Sequence, residues 1–304
     1  MKVKESRQTY LLRINRVIDH IRDHLTEPLS LASLARVAHF SPFHFHRIFR
    51  SLVGEPVHTF VRRLRLERAV FRMEHGPKAT LTQIALASGF ASSSDFSRAF
   101  TQAYGFSPRG YSRERFVQES KIRQDLIANA GYNLGKLPDV RNPDGFRVRL
   151  LDRPAERIAY VRVIGTDTPD KLLAGLHRLL DWGRGAGLVP GGRLVGMSQD
   201  DPDITPMKKY RYDWCLVLPA GVDPGRQVSV GRIPAGRFAA LHCEGDIHKL
   251  DRAWRYLFLV WLPGSGYQPT HDPALEVYRG SEIALDGSAF DIDCRVPVKP
   301  LPGR

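Results

Sequence analysis

Arg47 and Arg98 occupy matching places in a pattern that the chain carries twice within its first 115 residues. The first copy runs Leu31, Leu34, Ala35, Phe40, Phe45, Arg47, Phe49, Gly54; the second runs Leu81, Ile84, Ala85, Phe90, Phe96, Arg98, Phe100, Gly105. The offset is 50 before the turn and 51 after it, which puts one extra residue in the second copy, near Ser92–Asp95. A guanidinium on the outward face of a helix matches guanine O6 and N7 with two parallel donors. Phe43 and His46 accompany Arg47, and Phe43 could touch a thymine methyl. Ser93, Ser94, Asp95 and Ser97 accompany Arg98; Asp95 could accept from cytosine N4 or cap its own helix. The plainer alternative for either arginine is an intramolecular ion pair with Glu55 or Glu67.

A second constellation lies in residues 146–304, where the chain repeats itself at an offset of 80. Pro154-Ala155 matches Pro234-Ala235, Arg157 matches Arg237, Ala159 matches Ala239, and Gly165 matches Gly245. The same offset sets Glu276 against Gly196, a carboxylate facing a residue without a side chain, which leaves room beside one negative charge. Tyr212, Trp214, Trp254, Trp261 and Tyr278 supply aromatic surface in neighbouring segments. Aromatic rings around a carboxylate attract a lipophilic cation, and a seam between matched halves is a common ligand site. The bland alternative is a solvated glutamate beside core tryptophans.

Each reading arginine needs a short helix held firmly against a core. The small Ala35 and Ala85 allow close helix crossing. His39 and Gly89 stand where the turn needs a left-handed backbone. Phe40 and Phe90 then plug the core beneath the turn. Ser41-Pro42 and Ser92 signal the start of the second helix, so the motifs span about 31–52 and 81–104, with recognition helices over 42–52 and 92–104. An amphipathic helix over 13–25 precedes the first motif. A helix from Pro56 to about Met73, with Val57, Phe60, Val61, Leu64 and Val70 inward, separates the two motifs and fixes their spacing. The expected divisions are an all-α domain at 8–115, a linker at 116–145 rich in glycine and proline, and an α+β domain at 146–304 made of duplicated βαββ halves. The first half reads as strands 147–151 and 157–164, a helix over 168–187, and strands 194–198 and 210–218. The second reads as strands 227–233 and 237–244, a helix over 247–262, and strands 274–279 and 290–298.

Charge follows the same division. The net charge is +13; 19 basic and 9 acidic residues fall in 1–115, and 22 basic and 19 acidic in 146–304. The basic excess therefore sits with the duplicated motif, as phosphate binding requires. Three cysteines without a Cys-x-x-Cys pair exclude a disulfide scaffold and a zinc knuckle, and suit a reducing compartment. Residues 257–262 are the longest strongly apolar run, too short for a bilayer, and the N-terminus has no signal-peptide core.

Residues 13–113 resemble the DNA-binding region of AraC-family transcription regulators. The resemblance rests on SLASLARVAHFSPFHFHRIFRSLVGEP and on IALASGFASSSDFSRAFTQAYGFSPRGY, which ends in the family's closing signature with Pro108. It implies DNA contact through Phe43, His46 and Arg47, and through Ser93, Ser94, Asp95, Ser97 and Arg98. The first set departs from the Trp and Gln of some relatives, so the target sequence does not transfer. Residues 146–304 resemble the GyrI-like effector-binding domain in the duplicated plan and in the segments WLPGSGYQP and ALEVYRG. That resemblance implies binding of organic molecules, often cationic and aromatic, around Glu276; the repeat and the neighbouring aromatic segments add Tyr278, Tyr212, Trp214, Trp261 and Gly196 to the expected site. Together they imply a DNA-binding transcription regulator in the cytoplasm, acting as a monomer on double-stranded DNA and sensing a small-molecule effector. RNA polymerase is a candidate partner, and no cofactor, metal or membrane is expected. Two other readings of residues 146–304 compete: a hydrolase using Glu276 with Tyr278, Tyr212 or Tyr160, and a module that binds gyrase or polymerase.

Overall fold

A computed structural model describes residues 2–75, 79–112, 115–116, 142–200, 205–279 and 289–300. The chain divides into two compact units, one of residues 1–132 with 201–209, the other of residues 133–200 with 210–304. Most of the expected linker, residues 117–141, lies outside the described residues.

The elements of the first unit are helices: α1 (Lys2–Asp23), α2 (Leu31–Val37), α3 (Pro42–Val53), α4 (Val57–His75), α5 (Leu81–Ala87) and α6 (Ser93–Tyr104). α1 begins well before residue 13, because the polar stretch ahead of its buried stripe of Ile14, Val17, Ile18 and Ile21 is also helical. Short polar side chains start the helices. Ser30 accepts from the Ser33 amide, Thr80 and Gln83 form a reciprocal capping box, and Ser92 accepts from the Asp95 amide. The extra residue of the second motif is Ala91. Phe45 N bonds Ser41 O and Phe96 N bonds Ser92 O, so the start of each recognition helix is equivalent and the insertion precedes the cap. Phe90 is buried, whereas Phe40 is only half-buried, edge-on to Tyr10 at 5.2 Å and beneath the Arg13 guanidinium at 5.1 Å.

α4 serves both motifs. Near its start, Phe60 packs against Phe49 of α3 at 5.5 Å. Farther along, Leu66, Ala69 and Val70 join the core of Ile84, Phe90, Phe96, Phe100 and Tyr104, which also takes in Phe116. Between them Arg63 bonds Glu55 through Nε and Nη2, at 3.1 and 2.9 Å, and Glu67 through Nη1 at 2.7 Å. The same carboxylates receive Lys209 Nζ (2.9 Å, on Glu55) and Thr205 Oγ1 (2.6 Å, on Glu67), from the segment 201–209 that belongs to this unit.

The second unit is a nine-stranded antiparallel sheet with helices. Its elements are β1 (Val148–Arg153), β2 (Glu156–Ile164), α7 (Pro169–Gly185), β3 (Leu194–Ser198), β4 (Arg211–Val217), β5 (Ser229–Ile233), β6 (Gly236–Gly245), α8 (Ile247–Arg255), α9 (Leu262–Ser265), β7 (Tyr267–Pro269), β8 (Ala274–Tyr278) and β9 (Phe290–Pro300). The strand order is β1-β6-β9-β8-β3-β4-β2-β5, with β7 on β9. Exchanging each strand for its counterpart 80 positions away reverses this order onto itself. Each half lends its first strand to the other, since β1 pairs with β6 and β5 with β2. The helix expected over 247–262 is divided. α8 stops at Arg255, a π-helical turn covers Tyr256–Trp261, and α9 follows. Pro263 lacks the amide that would bond one turn back, which loosens the helix leading into it. β7 was not anticipated from the sequence.

Candidate functional site

Burial of the aromatic stripe turns each arginine outward. α3 buries Phe45 and Phe49, packed edge to face at 5.7 Å, and leaves Arg47 exposed with His46 half-buried. The side chain of Phe43 lies outside the described residues. α6 buries Phe96, Phe100 and Tyr104, and leaves Ser94 and Arg98 exposed with Ser93, Asp95 and Ser97 half-buried. Ser92 is the cap of this helix, and the Asp95 carboxylate lies 3.9 Å from Arg62. Glu55 and Glu67, the alternative partners considered for Arg47 and Arg98, are bonded by Arg63.

In the second unit the central strands meet at β3 and β8, and their register makes Gly196 the partner of Glu276. Two residues separated by 80 positions thus face each other at the centre of a sheet whose order reverses under that same offset. Glu276 receives two donors: the Tyr212 hydroxyl on Oε2 at 2.5 Å and Trp254 Nε1 on Oε1 at 3.2 Å. Trp214 is Gly196's partner on β4. Its ring lies 5.0 Å from Tyr212 and 5.6 Å from Tyr278, and its Nε1 donates to Leu172 O of α7 at 2.9 Å. Tyr212 and Trp214 are buried, while Glu276, Trp254 and Tyr278 are half-buried. Trp261 stacks instead on Tyr267 of β7 at 6.3 Å.

Gly196 leaves no open space in this arrangement. A β-carbon there would lie 1.7 Å from the Tyr212 hydroxyl and 3.3 Å from Glu276 Oε2. The glycine lets Tyr212 reach across the strand to the carboxylate, so the room expected from the sequence is occupied by a phenol. Trp254, which sequence reasoning named only as nearby aromatic surface, contacts the carboxylate directly. Its place on α8, capped by Asp246, has no signal in strand spacing.

Burial raises the Glu276 carboxyl above its ordinary range, against the opposing effect of its two donors. Burial first, then the charge of Glu276, pushes the Tyr212 and Tyr278 hydroxyls well above the usual tyrosine range. The seam therefore presents a carboxylate, protonated phenols and indole edges: a place for a cation or a hydrogen-bond donor with aromatic faces. Among the described residues no group of three or more His, Cys, Asp or Glu is placed to hold a metal, and no helix is long and apolar enough to cross a membrane.

These features define a class: a helical unit with two helix-turn-helix motifs, in one chain with an antiparallel sheet unit whose central strands set a carboxylate among aromatic rings. Residues 34–114 match the helix-turn-helix domain family, of the AraC type. Residues 146–298, half of the chain, match the GyrI-like small molecule binding domain. The chain belongs to the GyrI-like family and carries an AraC-type helix-turn-helix DNA-binding domain fused to it, the plan of a transcription regulator. It is 31% identical over 158 residues to the DNA gyrase inhibitor of Serratia proteamaculans (strain 568), covering 50% of this chain and 97% of that protein. It is 38% identical over 101 residues to the Photobacterium leiognathi protein named Probable transcriptional regulator LumQ, covering 33% of this chain and 40% of that protein; the match thus spans less than half of that relative. Among solved structures, the EcmrR C-terminal domain aligns over 52% of this chain and 99% of that chain, at 19% identity and a TM-score of 0.40.

Proposed function

We propose that this protein is a one-component regulator that reads DNA through α3 and α6 and senses a lipophilic aromatic cation at Glu276. The observation that carries the ligand class is the half-buried carboxylate itself, walled by Tyr212, Trp214, Trp254 and Tyr278 and, among the described residues, hydrogen-bonded by a phenol and an indole and by no basic side chain. A cation seated there gains charge and ring-face attraction together. Arg47 and Arg98 carry base contacts, with Phe43 and His46 beside the first and Ser93, Ser94, Asp95 and Ser97 beside the second. Two reading helices on one chain let a monomer engage adjacent major grooves, and a regulator of this kind works in the cytoplasm, where it meets RNA polymerase. The working domain limits are 8–115 and 146–304, with 116–145 as linker. We assign the seam to binding, in keeping with the small molecule binding family of residues 146–298. Burial and the charge of Glu276 push the Tyr212 and Tyr278 hydroxyls up, so both act as hydrogen-bond donors toward a ligand or the carboxylate. The kinship to a protein named DNA gyrase inhibitor over 97% of that protein's length supports a second reading, in which residues 146–298 bind gyrase.

Calorimetric titration of the full chain with tetraphenylphosphonium, a neutral triphenyl analogue and tetraphenylborate tests the proposal. Binding of the cation, weakened by Glu276→Gln while any neutral binding is spared, supports it. Equal cation binding by both proteins removes Glu276 from the site. Absence of binding by any probe, with gyrase captured by the purified chain, moves the assignment to the second reading.

A further inference from the structure

Arg65 of α4 lies where the connection leading into the first motif meets the turn of the second. Arg65 Nε donates to Leu25 O at 3.1 Å and Nη2 to Glu27 O at 3.0 Å. Both carbonyls belong to the connection between α1 and α2, on the first motif's side. Gly89, in the turn of the second motif, closes on the same connection. A β-carbon at Gly89 would lie 2.5 Å from Leu25 O, 2.9 Å from Arg65 Nε and 3.1 Å from Thr26 Cα. Its φ of 93° is left-handed. The first motif shows that this backbone shape alone does not demand glycine, since His39 takes φ 54° at the equivalent position. What sets Gly89 apart is the close approach of Leu25, Thr26 and Arg65.

The packing of α4 makes this contact consequential. Phe60, ahead of Arg65, belongs to the first motif's core, and Leu66, Ala69 and Val70, just after it, belong to the second's. A single helix joining two cores leaves them open to bending and twisting about its axis. A side chain at the middle of that helix, donating twice to the backbone that leads into one motif while packed under the turn of the other, removes that freedom. The geometry points to Arg65 and Gly89 as specificity-determining positions: they fix the phase between α3 and α6, so that the protein selects DNA by the spacing of two half-sites as well as by their bases. This rests on both helices reading DNA. One inserted base pair displaces the second half-site by about 3.4 Å and turns it by about a tenth of a helical turn, enough to take a side chain off its base edge.

Duplexes selected from a random pool by the wild-type full chain supply the probe, followed by a series with zero, one or two base pairs inserted or removed between the half-sites. The wild type should lose on the order of 10- to 100-fold in affinity per inserted pair, as for one lost bidentate base contact. Arg65→Met should flatten this dependence, binding the shifted sites nearly as well as the unshifted one, while affinity for a single half-site stays unchanged. Gly89→Ala should move the preferred spacing or flatten it, and Arg65→Lys, which keeps donors within reach of the same carbonyls, should lie between. Helical circular dichroism identifies a variant that fails to fold, and Arg65→Lys then decides. If the wild type discriminates spacing and every folded variant does so equally, or if a variant weakens all sites and the single half-site alike, the inference is wrong. A wild type indifferent to spacing overturns instead the premise that both helices read DNA.

Discussion

Gly196→Ala tests the seam most directly, because the structure says what the added methyl meets. The β-carbon falls 1.7 Å from the Tyr212 hydroxyl and 2.6 Å from Cζ, so the phenol must move and its 2.5 Å bond to Glu276 must break. A hydrogen bond to a charged group contributes about 1.5–3 kcal/mol, and forcing volume into a packed interior costs about 1–3 kcal/mol. Replacing a strand glycine by alanine returns about 0.5–1 kcal/mol. The net destabilisation expected is about 2–5 kcal/mol. Tyr212→Phe removes the hydrogen bond without the overlap and should cost about 1.5–3 kcal/mol. The double variant loses that bond once and meets a smaller ring, so the two effects should fall short of additivity by at least about 1.5–3 kcal/mol, the value of the shared bond. Urea unfolding followed by tryptophan fluorescence is the assay. All four tryptophans, Trp182, Trp214, Trp254 and Trp261, lie in the second unit, so the signal reports that unit alone. Additive single effects, within about 0.5 kcal/mol, would refute the steric coupling; so would a Gly196→Ala variant as stable as the wild type.

Three further outcomes follow from particular contacts. Arg47→Ala and Arg98→Ala should each cost about 1–3 kcal/mol on the selected duplex and relax base preference only locally; two variants that bind like the wild type would end the base-contact assignment. Cation affinity should fall on acidification at a higher pH than for an ordinary carboxylate, because the raised Glu276 must be ionised to attract charge and is protonated as pH drops through its raised value; titrations of tetraphenylphosphonium from pH 4 to 8, in unit steps of about one, should show this, and a flat profile would contradict it. Glu55→Ala should destabilise the first unit by about 3–5 kcal/mol, since it leaves a little-exposed Arg63 without its main partner, whereas Lys209→Met, at a half-open position, should cost at most about 1 kcal/mol; helical circular dichroism melts should separate the two.

What the sequence revealed followed from local rules, and what it hid depended on distant partners. Caps and the i, i+3, i+4 stripes of α3 and α6 are readable because one helix contains all their terms. The start of α1 was missed because a polar helical stretch has no apolar period to mark it. The extra residue of the second motif was placed a little late, because Ala91 precedes a serine that resembles the first motif's cap only once the hydrogen bonds are known. In the second unit the offset of 80 was enough to bring Gly196 to Glu276, since a repeat that pairs about its own axis puts equivalent residues face to face. It could not show that each half lends its first strand to the other, because either pairing satisfies the same alternation. Nor could it show that Tyr212 fills the space over Gly196, or that Trp254 arrives from a helix.

The segment 201–209 and the strand that follows it were the least legible part. The segment reads as an ordinary hairpin connection between β3 and β4, yet it groups with the first unit through Thr205 and Lys209. The strands it joins carry Gly196 and Tyr212. Tyr212 is flanked in sequence by two buried charges: Arg211 pairs with Asp200, and Asp213 with Arg162 at 2.6 Å. Removing one partner of such a pair is costly, so the strand that carries Tyr212 is pinned on both sides of it within the second unit, and the phenol's reach across Gly196 to Glu276 depends on partners that strand alternation does not reveal.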